Sequence, residues 1–299
     1  MTEHRAFATH VRPSRIAPCK GLSVTITPSE IEDKIKNLCA LPVVVTDALG
    51  MLDREDVDFV KIQQKIAQDI GLSSRLLSVA NSAFYGNSGK IRTIKEACMI
   101  LGTYHIKHLL LSTAVMEQFS SNKQNNVDFR TLWQHSYGTG IAAGILAEHL
   151  SQDRDIAYIA GLLHDIGKMV LDICFVDKYA EVLSYMRETG CLCIEAERHC
   201  LATDHAVVGH RLLVSWKFPG EITQCIAFHH TPQQRSTPLP DIVHLANAVS
   251  KMAAIGLCDD APRIQFSNNA MQRLDLDMDT VEQMIPRIQQ EMAKTEIPL

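Results

Sequence analysis

The residues best suited to chemistry are an adjacent pair, His164 and Asp165, in the stretch AGLLHDIGKMV, where an apolar helical pattern runs into a glycine and a lysine. An imidazole nitrogen and a carboxylate oxygen both suit a divalent ion such as Zn, Fe or Mn. Neighbouring residues on an ideal helix point about 100° apart, so this pair converges on one ion only where a helix ends. Gly167 is expected to supply that loosening, letting the backbone leave the helix while both side chains face a shared cavity. Lys168 would add a point charge suited to an anionic group. Further ligand-type residues lie on successive helical stretches of the same half: His135 in WQHS, His205 in DHAVVGHRLL, and His229 with His230 in AFHH. An ion held by such a set can lower the pKa of a bound water toward about 7 and stabilise charge on a phosphoryl oxygen. Phosphate-ester hydrolysis is the chemistry implied.

The remaining histidines, His4, His10, His105, His108, His149, His199, His210 and His244, are read as ordinary hydrogen-bonded residues. The segment CLCIEAERHC holds Cys191, Cys193, His199 and Cys200 but lacks the paired C-x-x-C spacing of a structural zinc site. It reads as an amphipathic helix carrying small apolar thiols.

Helices must position these residues. After an irregular arm over 1–26, Thr27, Pro28 and Glu30 form a T-x-x-E capping box with proline at the first helical position, and Ile31, Ile35 and Leu38 supply a buried stripe. Ile62, Ile66 and Ile70 line a helix ending at Gly71, and Leu76, Leu77, Val79 and Ala80 belong to the next. Thr93 and Glu96 make a second capping box, with Gly102 as the stop. The polar run SSNKQNNVD at 120–128 is the best internal boundary. Beyond it Asp128, Asp153 or Asp155, and Asp177 are placed to cap helices, and one helix should close at Gly190. Pro286 predicts a kinked or broken helix near the C-terminus. No strand alternation or fixed repeat appears, so the class is all-α.

Bulk properties narrow the function. A net charge of −5 gives no general attraction to nucleic acid or an anionic membrane. The longest apolar runs, such as HLLLSTAVM and IAYIAGLL, are too short to span a bilayer, and the N-terminus lacks the apolar centre of a secretory signal. With nine cysteines, an odd number, reduced thiols in a cytoplasm fit better than a disulfide framework.

In order, WQHS, AGLLHDIGK, DHAVVGHRLL, AFHH and LANAVS resemble the successive motifs of the HD-superfamily metal-dependent phosphohydrolases, with the HD-GYP phosphodiesterases the nearest enzymatic pattern. LPVVVTDAL, IAQDIGLSSRLLSVANSAFYG and IRTIKEACMILG resemble the HDOD domain, the HD-related output domain of bacterial signalling, and the likeness runs from roughly 35 to 250. It implies a two-lobed helical bundle: an N-terminal helical lobe over 27–122, an HD-like lobe over 123–258, and a tail with a helix over 259–299. It also implies a divalent metal (Fe, Mn, Zn or Mg) held by His135, His164, Asp165, His205, His229 or His230, and the residue aligned with the last ligand. In the enzymes that last ligand is aspartate. Here it is Asn247, which offers an oxygen but one less negative charge. HHTPQQRSTPLP also lacks the GYP segment.

The expectation is therefore a bacterial regulatory module that binds a signalling protein partner or a second copy of itself, with a partly retained metal site. The alternative is a metal-dependent phosphohydrolase in which Asp165 and Lys168 serve catalysis. Phe84 and Tyr85, in the glycine-bearing loop NSAFYGNSGKIRT, would form an interaction hot spot if exposed, or anchor the loop on the core if not.

Overall fold

A computed structural model describes residues 25–38, 59–68, 70–81, 90–119, 126–256 and 266–293. Within them the chain forms fourteen α-helices and no strand, as the all-α reading requires. They are α1 (Pro28–Asn37), α2 (Phe59–Ala67), α3 (Ile70–Ala80), α4 (Ile94–Phe119), α5 (Phe129–His149), α6 (Arg154–Leu163) and α7 (Ile166–Cys174). There follow α8 (Val176–Thr189), α9 (Cys193–Leu201), α10 (His205–Ser215), α11 (Gly220–Phe228), α12 (Leu239–Met252), α13 (Asn268–Arg273) and α14 (Met278–Ala293). No described helix is long and apolar enough to cross a membrane.

The caps carry out the local code. Glu30 N–H donates to Thr27 Oγ1 at 3.3 Å while Thr27 N–H donates to the Glu30 carboxylate at 2.7 Å, closing the capping box of α1. Thr93 and Glu96 repeat that exchange at 3.1 and 3.2 Å. Asp128 and Asp153 accept from the first turns of α5 and α6. Gly102 breaks α4 at φ 68°, and Gly190 closes α8 at φ 64°.

Three expectations change. Gly71 does not end a helix: α2 stops at Ala67, and Gly71 lies in the first turn of α3, where backbone N–H groups lack intrahelical partners anyway. Asp177 is not a cap, because α8 begins at Val176 behind Phe175 and leaves Asp177 in the first turn, favourable to the helix dipole. Pro286 does not break α14, which continues to Ala293. Val281 and Ile288, both fully buried on either side of the proline, pin the two halves to the core.

The core is organised around α5, which is buried along most of its length from Leu132 to Ala147. Such a helix must be surrounded. Helices α6, α12 and α14 pack against it, α7 and α11 pack on α10, and α8 lies against α9. Helices α2, α3 and α4 pack together. Helix α1 lies elsewhere: it packs on α10 through an Arg211–Glu32 ion pair at 2.7 Å, and the residue before it, Ile26, donates its N–H to the Leu201 carbonyl at the end of α9 at 2.9 Å. The C-terminal helices also join the core around α5. Arg273 of α13 pairs with buried Asp241 of α12, and Arg287 of α14 pairs with Glu148 of α5 at 2.8 Å.

Candidate metal centre

His164 is the last residue associated with α6, and Asp165 stands between it and α7 with φ −101° and ψ 9°. The adjacent pair therefore sits at a break between two helices, and its side chains converge. The break is made by Asp165 itself, and Gly167 lies inside α7. The expected role of Gly167 is corrected accordingly. A β-carbon at this position would run into the carbonyl of His205, so its hydrogen is what lets α7 and α10 approach. That close approach brings His205, the first residue of α10, to Asp165.

Asp165 is the hub. Its Oδ2 lies 3.3 Å from His164 Nε2, 3.9 Å from His135 Nε2 and 2.8 Å from Lys168 Nζ. Its Oδ1 lies 3.3 Å from His205 Nε2 and 4.0 Å from His229 Nε2. His205 Nε2 is also 3.0 Å from His230 Nε2. Two overlapping ligand groups result, His135–His164–Asp165 and Asp165–His205–His229–His230, each with its ligand atoms within 4.8 Å of one another.

The tautomers follow from the backbone. A carbonyl can only accept, so His164 donates Nδ1–H to the Gly161 carbonyl and His229 donates Nδ1–H to the Ile226 carbonyl, both at 2.7 Å. Nε2 of each ring then carries the outward lone pair when the ring is neutral. Those nitrogens, His135 Nε2 and Asp165 Oδ1 are buried with no hydrogen-bond partner. Buried polar atoms are rarely left so. Their convergence is what a divalent cation would satisfy, and the residues present fit one.

Burial and mutual proximity set the protonation. Desolvation, helped by the neighbouring His164, pushes His135 down to about 3. Desolvation likewise holds His229 and His230 well below the ordinary imidazole value. Burial alone would raise the Asp165 carboxyl, but His164 and Lys168 outweigh it and keep the group well below the usual carboxylate range. Neutral His135, His229 and His230 beside an ionised Asp165 are donors in the state that binds metal.

Every residue singled out along the ligand series except Asn247 reaches this cluster in contacts that can be measured. Asn247 Oδ1 is buried and unpartnered on α12, the helix packed against α5 and α6, which carry His135 and His164. Lys168 is drawn in as a partner of Asp165, with only 7% of its surface exposed. Phe84 and Tyr85 lie outside the described residues. His105, His210 and His244 each place Nδ1 against a backbone carbonyl, and His199 stacks on Tyr185 with ring centroids 4.5 Å apart.

Sequence reasoning missed Glu197. This buried residue of α9 accepts from His205 Nδ1 at 2.6 Å, from His205 N–H at 2.9 Å and from the Tyr179 hydroxyl at 3.0 Å. Burial disfavours charge on His205, but the Glu197 carboxylate outweighs it and raises the group above its ordinary value. The sequence signal, a glutamate eight positions before the histidine across a capped turn, lay inside CLCIEAERHC.

Comparison with known proteins agrees with the motifs. The chain is 30% identical over 233 residues to an uncharacterized protein of Treponema pallidum, covering 73% of this chain and 43% of that one. It is 29% identical over 138 residues to ribonuclease Y of Chlorobium phaeovibrioides, covering 46% and 21%. The chain thus spans less than half the length of these curated relatives. The crystal structure of an HDOD domain protein of unknown function from Geobacter sulfurreducens has the same fold, with a TM-score of 0.76 at 22% identity over 91% of this chain and 98% of that one. The HDOD domain family matches residues 38–232, and the chain belongs to that family.

Proposed function

We propose that the protein is a regulatory HDOD module that acts by contact with a signalling protein partner, and that its histidine cluster holds a divalent ion which fixes the HD-like lobe. The observation that carries this reading is the burial of the cluster. His164, His205 and His229 have no exposed surface, His135 and Asp165 about 1%, and His230 and Asn247 are half-buried. A site this enclosed suits an ion that orders helices better than one that meets a phosphate ester.

Charge supports the same reading. The cluster sets two carboxylates, Asp165 and Glu197, beside the Lys168 ammonium and the imidazoles, so a cation added there meets negative charge. Asn247, in place of an aspartate, brings an oxygen without further charge. Fe, Mn and Zn all accept a nitrogen-rich set with carboxylate, whereas Mg favours oxygen ligands.

A second reading, metal-dependent phosphohydrolase, draws on the retained ligand series and on the partial likeness to ribonuclease Y. There His135, His164, Asp165, His205, His229 and His230 would hold the ion, which would supply Lewis acidity toward a phosphoryl oxygen. Lys168 would hold the Asp165 carboxylate in place.

Hydrolysis separates the two. Manganese-loaded protein is assayed with bis-p-nitrophenyl phosphate, p-nitrophenyl phosphate and a short single-stranded RNA. The regulatory reading expects wild type and Asp165→Ala to be equally inactive. Turnover that vanishes in Asp165→Ala would replace it with the hydrolase reading.

A further inference from the structure

We infer that Glu197 is a positioning residue of the metal centre: it holds the His205 ring as the Nδ1–H tautomer and aims its Nε2 at the space shared by Asp165 and His230. The inference rests on the proposed metal reading for its consequence, but its geometry stands without a metal.

Glu197 lies on α9 and His205 opens α10, and the chain between them reverses in three residues. Ala202 takes a left-handed φ of 56° at the end of α9. Asp204 then caps α10, accepting from Val207 N–H at 2.9 Å, and is itself held by Arg198 Nε at 2.7 Å. This folded corner sets the Glu197 carboxylate against both the backbone and the ring of His205. Oε2 accepts from His205 N–H and, at 2.6 Å, from the ring Nδ1–H. Oε1 accepts from the Tyr179 hydroxyl at 3.0 Å and lies 3.5 Å from the Cys193 thiol.

The carboxylate therefore faces donors on both oxygens and cannot rotate without losing them. Its partners define the ring's orientation, because a carboxylate accepts and never donates when ionised. With Nδ1–H committed to Glu197, Nε2 is the nitrogen left for Asp165 Oδ1, 3.3 Å away, and His230 Nε2, 3.0 Å away. His164 and His229 are held the same way by backbone carbonyls. His205 differs in having a charged partner, which makes its nitrogen the more basic ligand.

The test uses the full chain with 15N-labelled histidine, free of metal and loaded with Mn(II) or diamagnetic Zn(II). Nitrogen shifts of the zinc-free and zinc-loaded protein report the His205 tautomer, with His205→Gln used to assign its signals. The inference expects a hydrogen on Nδ1 of His205 in wild type, with or without metal. In Glu197→Gln, whose amide keeps the shape but loses the charge, it expects a mixed tautomer and Mn(II) affinity weakened roughly 10- to 100-fold.

A wild-type His205 protonated on Nε2 alone would overturn the inference without any variant, so a misfolded Glu197→Gln leaves the question decidable. A folded Glu197→Gln with unchanged tautomer and unchanged affinity would overturn it as well. Glu197→Asp should recover part of the affinity if charge is what matters. Wild type that binds no metal but shows the Nδ1–H tautomer, lost in Glu197→Gln, would sink the metal reading and leave the positioning role intact.

Discussion

Two of the buried carboxylates, Glu197 and Asp165, are treated in opposite ways. Glu197 is saturated, with backbone, imidazole, phenol and thiol donors around its two oxygens. Asp165 is supplied on one side by Lys168, while Oδ1 has no hydrogen-bond partner and faces His229 Nε2, which also lacks one. A buried carboxylate with every acceptor filled is part of the scaffold. One left with an open acceptor amid open lone pairs is a place for a cation. The difference separates the residue that aims from the residue that binds, though both are invisible from the surface.

The comparison can be broken most severely at Asp165. Asp165→Ala breaks the buried ion pair with the Lys168 ammonium, 2.8 Å apart. Metal-free protein should lose about 3–5 kcal/mol by urea unfolding, and Mn(II) binding should vanish in calorimetry. Unchanged stability would show that Lys168 does not depend on Asp165. Gly167→Ala comes next, since a β-carbon would meet the His205 carbonyl and force α7 from α10. Overpacking of this kind should cost about 3 kcal/mol in the same measurement and weaken Mn(II) binding, because Asp165 and His205 separate together.

Acid tests the unpaired side. His135 is about 3 in the folded protein against an ordinary 6.5, so the unfolded chain binds the extra proton between those values. Stability from this group is complete above about pH 6.5 and falls as pH drops toward 3, by roughly 2 kcal/mol between pH 7 and 5. His229, His230 and His244 are lowered and act in the same sense. His205 is raised and opposes them, contributing stability below 6.5 that is lost as pH rises through its folded value. Metal-free protein should therefore unfold at lower urea at pH 5 than at pH 7, and equal midpoints would contradict the neutral histidines. Tyr179→Phe should be mildest. It removes one donor from Glu197, should cost about 1.5 kcal/mol, and should change Mn(II) affinity by less than about threefold because Oε2 keeps His205.

Much of this was legible in order along the chain. The caps at Thr27, Thr93, Asp128 and Asp153, the break at Gly102 and the sequence of histidines are local signals, because each depends on residues within a turn or two. The role of Gly167 was misread because a glycine marks either a bend or a close approach, and only the crossing of α7 with α10 decides between them. Glu197 was hidden for a related reason. Its helix has an ordinary amphipathic period, and the hydrogen bond to His205 depends on the reversal at Ala202 and Asp204. The placement of α1 on α10, far along the chain, is likewise a matter of complementary surfaces and the Arg211–Glu32 pair rather than of pattern. Pro286 shows packing overriding a residue preference, with Val281 and Ile288 holding α14 in line.

The central claim is that the cluster around Asp165 holds a divalent ion. Purified protein stripped with a chelator, reloaded with Mn(II), desalted and analysed by mass spectrometry for metal content tests it directly. Wild type should retain about one ion per chain, and Asp165→Ala none. Wild type that retains no metal, or Asp165→Ala that retains as much, would contradict it.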